Sequence, residues 1–595
     1  MKRTSTIHAF FETAARQAGA VAVRWRPSPG RWSALTWGEY AREVRRVGRA
    51  LAALGVEPGD RIALCGPNRP EWLLADLGAI AARAVPAPYY PTLTADQAGY
   101  VVEHSEAVVA IVHDAAQLAK LDAMRPRLPR LRTCVLMEGA APGALSWSDF
   151  LARAAEVPES AIDERLERLA ESDLATLIYT SGTTGPPKAV MISHANLLFS
   201  AGTARQLLEV GPADELISYL PLSHIAEQMI SLHGPAVNGY SIACCERMEE
   251  VPEFLREVRP TIFVGVPRVW EKIQARIEER VARAPARRQK LFGWALRSGL
   301  ARARGERPLL GGLADALVGR KLRAALGFGR ARLLVTTAAP IARATLEFFE
   351  SLGMPLHEIY GQSECTGAAT TNAPRRRMFS VGEALPGTEV RLDRDGEVLI
   401  RGPHAFLGYL KDAAATSATL TRDGWLRTGD VGQIDRDGFL HITDRKKDLL
   451  ITSGGKNVSP QNIEGQLARI PGVAHAVVVG DARRHLAALI ALDREAALRE
   501  GQSCGAKAGT VEALCVDPVF LDRIGRAVEE VNRSLASYET IKKFRLLPVE
   551  FGIESGELTP TLKLRRKAVN ERFAREIEEL FGEPAVPARD LLGRR

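Results

Sequence analysis

Short apolar runs alternate along this chain with longer stretches in which apolar residues recur every three or four positions. "RIALCGPN" (Arg61–Asn68) is an apolar run closed by Gly-Pro-Asn, "RPEWLLADLGAIAARA" follows with helical periodicity, and "VPAPYY" is a second apolar run. Period and punctuation together predict a β-α-β unit. "AVVAIVHD" (Ala107–Asp114), "LATLIYT" (Leu174–Thr180), "TIFVGVP" (Thr261–Pro267) and "ARLLVTT" (Ala331–Thr337) read as further buried strands. The alternation predicts α/β layers around a largely parallel sheet.

The texture changes after about Phe379. "VGEALPGTEVRLDRDGEVLIRGP" and "IDRDGFLHITD" carry short strand patterns joined by Asp-Gly turns, the signature of hairpins in a β-rich subdomain. From Asp444 onward a smaller α+β unit opens with "DRKKDLLITSGGKNVSPQNIEGQLARIPGVAHAVVVGD". Charged residues separate two apolar runs near Arg445–Lys447, so the expected division is a large N-terminal α/β domain over 1–445 and a small α+β C-terminal domain over 446–595. A chain of 595 residues with 46% hydrophobic content exceeds what one core can hold, which agrees with at least two domains.

Charge changes the picture in one place. Val281–Arg330 carries 12 Lys/Arg against 2 Asp/Glu, enough to account for the whole net charge of +8 and leave the remainder slightly acidic. Leu291, Phe292, Trp294, Ala295 and Leu296 sit among these bases, a pattern that suits peripheral contact with an anionic membrane as well as a solvated helical hairpin. The aromatic and motif context of a nucleic-acid module is missing, so no nucleic-acid partner is expected. No run of 18 apolar residues occurs, and "MKRTSTIHAFFETAARQAG" reads as an amphipathic helix rather than a signal peptide. The seven cysteines (Cys65, Cys134, Cys244, Cys245, Cys365, Cys504 and Cys515) show neither a CxxC pair nor metal-ligand spacing and are expected as reduced thiols in a cytosolic protein. The sequence carries no signal for an oligomeric state.

The chemistry concentrates after the Leu174–Thr180 run, in Thr180-Ser181-Gly182-Thr183-Thr184-Gly185-Pro186-Pro187-Lys188. Glycines allow close backbone approach, successive N–H groups form an anion nest, hydroxyls add donors, and the lysine adds a point charge. The combination suits a polyphosphate. Its Gly-x-x-Gly-x-x-Lys spacing differs from a Walker A loop. A Ser/Thr-rich surface turn has the same composition, and this stretch alone does not separate the two.

Further motifs do. "YLPLSHIAEQ" (Tyr219–Gln228), "YGQSECTG" (Tyr360–Gly367), "DGWLRTGDVG" (Asp423–Gly432), "DRKKDLLITSGGKNVSPQNIE" (Asp444–Glu464) and "ELTPTLKLRRK" (Glu557–Lys567) follow in order. Together with the glycine-rich loop they resemble, over essentially the whole chain, the adenylate-forming superfamily. "RPTIFVGVPRVWEKI" (Arg259–Ile273) and "LTPTLKLRRK" make the chain most similar to long-chain acyl-CoA synthetases of the bubblegum-type branch.

The resemblance implies residue roles. Thr180, Ser181, Gly182, Thr183, Thr184, Gly185 and Lys188 would hold the ATP phosphates, with Lys188 also catalytic. Tyr360 would stack on adenine within Tyr360-Gly361-Gln362-Ser363, and Glu364 would bind Mg²⁺ beside the phosphates. Ser363 replaces the family's usual threonine. Asp430 would bind the ribose hydroxyls and Arg445 would contact the nucleotide. Lys447 falls at the hinge of a mobile C-terminal domain. Lys563, in preference to Lys567, would be the catalytic lysine of acyl-adenylate formation. His224 would line the acyl pocket, and Gly454 and Gly455 would flank the pantetheine arm of coenzyme A. Two positions depart from the family: Thr337 in "TTAAP" stands where glycine is usual, and Arg83 replaces a small residue.

The implied function is ATP-dependent ligation of a medium-to-long-chain fatty acid to coenzyme A through an acyl-adenylate. A fatty acyl-AMP ligase that loads a carrier protein and a non-catalytic lipid-binding homologue are the alternatives.

Overall fold

The computed structural model describes residues 5–180, 186–308, 311–453, 456–553, 555–559 and 564–582. The β-α-β expectation is met at the start of the chain. Strand Arg61–Cys65 is followed by helix Pro70–Ala81 and strand Val85–Pro88, which pairs parallel with the first. Three more parallel strands, Ala107–Val112, Thr133–Leu136 and Leu145–Ser146, complete a five-stranded sheet. Proline at the first turn starts the helix without losing a backbone bond. Every residue of this helix but Glu71 is buried, because its other side meets helix Trp37–Ala53. The two helices approach closely: a Cβ on Gly78 would run into the Val47 side chain. Helix Trp37–Ala53 is opened by a reciprocal capping box between Thr36 and Glu39.

A second sheet has a parallel core of Ile262–Gly265, Leu333–Thr337 and Leu356–Tyr360, extended by two short antiparallel strands. A third sheet joins Glu215–Ser218, Ser241–Cys244 and the hairpin Val21–Ser28/Arg31–Thr36. Helix Thr6–Arg16, expected as amphipathic, buries Ile7, Phe10 and Ala14 in the first core.

One expectation is corrected. Strand Leu174–Thr180 does not enter a parallel sheet. It pairs antiparallel with Lys188–Ser193, with Thr180 opposite Lys188 and Leu174 opposite Ser193. The intervening 181–187 segment is too short for a parallel crossover, which needs about a dozen residues or more. Gly408–Tyr409 adds a third strand beside Lys188–Ser193.

The β-rich expectation after Phe379 is met by Glu389–Leu392, Glu397–Arg401, Leu426–Ile434 and Leu440–Arg445, an antiparallel sheet in that order. Beyond it, Val473–Val479, Leu486–Leu492 and Ile541–Leu547 form a three-stranded sheet. Helices Pro460–Leu467, Arg494–Cys504 and Pro518–Asn532 pack on it around a separate core containing Ile463, Leu467, Phe520 and Ile524.

The basic segment folds as helices Ala286–Ala303 and Arg320–Leu326 with shorter turns between. Its apolar stripe is largely consumed by the protein itself. Ala295 is buried, Phe292 and Leu296 pack on the core that holds Phe348 and Phe349, and Leu291 remains 37% exposed. Among the described residues no helix is long and apolar enough to cross a membrane.

Candidate active site

The site assembles where the strand ending at Tyr360, the Lys188 hairpin and the β-rich sheet meet. Strand Leu356–Tyr360 runs into a tight turn at Ser363–Cys365, with Thr366 and Gly367 at φ 52° and 102°. Gly361 has no room for a side chain: a Cβ would strike the carbonyl oxygen of Gly367. The turn is held from behind by the 404–409 segment. Phe406 N–H donates to the Glu364 carbonyl at 2.9 Å, and Thr366 Oγ1 donates to the His404 carbonyl at 2.8 Å.

Two networks face this turn. In the first, Tyr360 hydroxyl donates to Asp430 Oδ2 at 2.7 Å, while Arg445 Nε contacts Asp430 Oδ1 at 2.8 Å. Asp430 and Arg445 are direct cross-strand partners, so the antiparallel register itself delivers the pair. Burial, followed by the Asp430 charge, pushes the Tyr360 phenol well above its usual range, so it stays a donor. The resemblance implies that Asp430 binds ribose hydroxyls; the structure shows its carboxylate engaged by Tyr360 on one oxygen and by Arg445 on the other. Gln362 Nε2 is buried here without a hydrogen-bond partner among the described residues.

In the second network, Lys188 Nζ lies 4.9 Å from the centroid of the Tyr409 ring. Tyr409 hydroxyl donates to Glu364 Oε1 at 2.7 Å. Sequence reasoning missed Tyr409, although Gly408-Tyr409 pairs with the Lys188 strand and thereby links the lysine to the carboxylate. Glu364 retains its other oxygen. Among the described residues no three His, Cys, Asp or Glu side chains cluster as a metal site. Glu364 suits Mg²⁺, which takes one or two carboxylates and fills its shell with waters and phosphate oxygens.

Lys447 is exposed in the turn after Arg445, whereas its neighbour Lys446 is tied to Asp395 at 2.5 Å and to Glu397 at 3.0 Å. On the C-terminal side, Ser459 Oγ donates to Asp444 Oδ2 at 2.6 Å, and Arg566 grips Glu464 through bonds of 2.7 and 2.9 Å. Ser181, Gly182, Thr183, Thr184, Gly185, Gly454, Gly455 and Lys563 lie outside the described residues. Lys567, the alternative to Lys563, starts a helical turn and lies 3.8 Å from Glu571.

In the expected acyl-pocket segment, His224 Nδ1 accepts from Ala226 N–H at 3.2 Å, an N-cap for helix Ile225–Gln228. The more consequential group there is one that sequence reasoning passed over. Glu227 Oε1 accepts from Ser231 at 2.6 Å, Ser218 at 2.8 Å and the Asn68 amide at 3.4 Å. Burial raises its carboxyl to about 8. It pins the ends of strands Arg61–Cys65 and Glu215–Ser218 to the turn that begins at Met229, whose side chain faces Gly367.

The two family departures are accommodated differently. Thr337 stays in its strand and donates to the Ile359 carbonyl at 2.9 Å, while the positive φ of 73° falls on Ala338. Arg83 itself adopts φ 57° and pairs with Asp173 at 3.0 Å.

Comparison with known proteins places this geometry in context. Residues 10–410 match the family model of AMP-binding enzymes, and residues 447–584 match that of the AMP-binding enzyme C-terminal domain. The chain is similar to the long-chain-fatty-acid–CoA ligase FadD15 of Mycobacterium bovis, at 37% identity over 573 residues, covering 93% of each. It is also similar to the long-chain-fatty-acid–CoA ligase ACSBG2 of Gallus gallus, at 35% identity, covering 98% of this chain and 82% of that one. In fold it resembles the crystal structure of the anthranilate CoA ligase AuaEII in complex with anthranoyl-AMP, with TM-score 0.72, 21% identity, and 97% and 99% coverage of the two chains. It likewise resembles the adenylation domain of a carboxylate reductase from Mycobacterium chelonae, with TM-score 0.78, 20% identity, and 98% and 92% coverage.

Proposed function

The chain belongs to the AMP-binding enzyme family, and from that premise we propose how its own residues divide the work of a long-chain fatty acid–CoA ligase. A carboxylate resists nucleophiles because of its charge. In the first half-reaction its oxygen attacks the α-phosphorus of ATP, the bond to the bridging oxygen breaks, and pyrophosphate leaves. In the second, the coenzyme A thiolate attacks the acyl carbon, and AMP leaves with the electron pair.

The observation that carries the assignment is the meeting of two networks at one turn, Tyr360–Asp430–Arg445 and Lys188–Tyr409–Glu364. The first suits a nucleoside: an aromatic face, and a carboxylate of the kind that accepts from ribose hydroxyls. The second suits the phosphates. Residues 181–185, which lie in sequence between the paired Thr180 and Lys188, are assigned as the nest, and Lys188 is assigned to supply the charge. Glu364 would hold magnesium, which screens the phosphate charge when bound. Lys563 is assigned to the carboxylate and α-phosphate as negative charge builds. Residues 1–445 are assigned as the adenylating body and 446–595 as a lid that turns about Lys447 between the half-reactions. Gly454 and Gly455 are assigned to the pantetheine channel and His224 to the wall of the acyl pocket.

The test is fatty-acid-dependent exchange of pyrophosphate into ATP, followed by thioester formation with coenzyme A and, in parallel, with a holo-carrier protein. Exchange together with coenzyme A thioester supports the assignment. Exchange with transfer only to the carrier identifies an acyl-AMP ligase, and no exchange identifies a lipid-binding homologue. Peripheral contact with an anionic membrane is assigned to the 281–330 segment. Leu291, Leu313 and Leu317 stand 37%, 48% and 40% exposed in a stretch that also exposes Arg287, Arg288, Lys290, Arg320 and Lys321.

A further inference from the structure

Between His224 and Asn238 the chain winds as helix Ile225–Gln228, a π-helical turn Met229–His233 and helix Gly234–Asn238. In the turn, the Gly234 N–H donates to the Met229 carbonyl five residues back, so an extra residue is fitted into it. Such turns are rare and concentrate at functional sites. This one is held by several side chains. Tyr240 hydroxyl donates to the Ile230 carbonyl at 2.6 Å and lies against Gly234, where a Cβ would strike both that hydroxyl and the Met229 carbonyl. Thr6 Oγ1 meets His233 Nδ1 at 3.1 Å. Ser231 Oγ donates to Glu227 Oε1 at 2.6 Å, and the same oxygen accepts from Ser218 and the Asn68 amide.

Glu227 is 1% exposed. A carboxyl at such a place is costly to bury, and an apolar residue of its size would be less so. What the carboxyl adds is direction. It draws Ser231, Ser218 and Asn68, from three separate elements, onto one oxygen. Met229, the first residue of the turn, packs on the cluster that holds Tyr360 and Cys365, and its Cγ lies 3.8 Å from where a Cβ on Gly367 would stand. At the other end of the segment, His224 caps helix Ile225–Gln228. The segment thus runs from the residue assigned to the acyl wall to the back of the nucleotide turn.

We propose that Glu227 is a positioning residue for acyl-adenylate formation: through Ser231 and the Met229–His233 turn it sets where the bound fatty acid stands relative to the nucleotide. The inference rests on the ligase reading above. In the first half-reaction the carboxylate oxygen and the α-phosphorus must meet at about 3–3.5 Å, and a misplacement of about 1 Å costs about a hundredfold. Once acyl-AMP has formed, a covalent bond joins the two, and the protein no longer has to set that distance. Glu227 therefore acts on the first half-reaction alone.

The test compares the half-reactions in the full chain. Adenylation is read as fatty-acid-dependent ATP–pyrophosphate exchange, and the second step as thioester formation from supplied acyl-AMP and coenzyme A. Glu227→Leu should lower kcat for exchange about a hundredfold and leave the thioester rate within about twofold. Burial raises the carboxyl to about 8, so at neutral pH it is mostly the neutral acid. Glu227→Gln, a neutral isostere that keeps the acceptor oxygen, should restore exchange to within about fivefold of the wild type. Tyr240→Phe releases only the Ile230 carbonyl, so it reads the same turn even where the leucine variant does not fold; it should slow exchange about tenfold and spare the thioester step. That split, with rescue by glutamine, supports the proposal, because a purely structural role would lower both half-reactions together. Equal losses in both half-reactions, wild-type exchange in both Glu227→Leu and Tyr240→Phe, or a glutamine variant as slow as the leucine one overturns it. A wild type that exchanges no pyrophosphate overturns the ligase reading and this proposal with it, whereas an active wild type with unsplit variants overturns this proposal alone.

Discussion

Replacing Tyr409 with phenylalanine deletes one oxygen and keeps the ring beside Lys188. That oxygen donates to Glu364 Oε1 at 2.7 Å, and Tyr409 is only 8% exposed, so bulk water competes poorly for the bond. Burial, then the charge of Glu364, keeps the phenol protonated far above neutral pH, so it acts as a donor throughout the working range. A hydrogen bond to a charged group contributes about 1.5–3 kcal/mol. A water entering the vacated space recovers part of this, which puts the expected loss near the lower end, about 1.5 kcal/mol or about tenfold. The loss should fall on whatever Glu364 holds. In fatty-acid-dependent ATP–pyrophosphate exchange, the Mg²⁺ concentration for half-maximal rate should rise about tenfold, while KM for the fatty acid stays at the wild-type value. Tyr409→Leu goes further and removes the ring face under Lys188, adding about 0.5–2 kcal/mol that should appear in KM for ATP. The two variants therefore separate the carboxylate from the lysine. A Tyr409→Phe enzyme with wild-type Mg²⁺ dependence would refute the argument, because the hydroxyl would then position nothing that the metal uses.

Gly361→Ala drives a Cβ into the Gly367 carbonyl and the Ala368 backbone, and pyrophosphate exchange should fall about a hundredfold or more as the turn shifts; near-normal exchange would show that the turn yields freely. Lys563→Ala should lower acyl-adenylate formation about a hundredfold or more while sparing thioester formation from supplied acyl-AMP; equal loss in both half-reactions contradicts the assignment. Burial holds His194 at about 4 and His233 at about 3, below the usual 6.5. The folded chain therefore binds fewer protons than the unfolded chain below pH 6.5, so this stability is present at neutral pH and is lost on acidification, about 4 kcal/mol for the pair by pH 5. The Glu227 carboxyl, held at about 8, gains stability over the same range, so the measurement is imidazole NMR titration: His194 and His233 should stay neutral down to pH 5, and titration of either near 6.5 contradicts it. Reversing Arg287, Arg288 and Lys290 to glutamate should weaken flotation with anionic vesicles about a hundredfold and leave neutral vesicles unaffected; unchanged flotation with anionic vesicles removes the membrane assignment.

What the sequence made legible, and what it hid, follows from the range of the forces involved. Strand Leu174–Thr180 was readable residue for residue because its apolar run is a local signal, and both Asp-Gly hairpins were readable for the same reason. The direction of that strand was less so: pairing is set by the shortness of the segment joining it to Lys188, which apolarity does not encode. Tyr360, Asp430 and Arg445 announced themselves through motifs, and the structure brings them within hydrogen-bonding reach. Tyr409 did not, because its role arises from a two-residue strand pairing with a hairpin far away in the chain. Glu227 stood inside a recognised motif and was still passed over in favour of His224. A histidine draws notice as a chemical group, whereas a carboxyl becomes unusual only when it is buried and three neighbours from separate elements donate to it. The apolar stripe of the basic segment shows the converse limit. Leu291, Phe292, Ala295 and Leu296 share one helix, and the sequence cannot say which of them meet Phe348 and which meet solvent, because that depends on where helix Arg343–Ser351 lies. Arg83 joins both lessons. A substitution for the family's small residue holds a positive φ of 57° and an ion pair to Asp173, neither of which the local pattern encodes, because the first depends on the turn between helix and strand and the second on a residue ninety positions away.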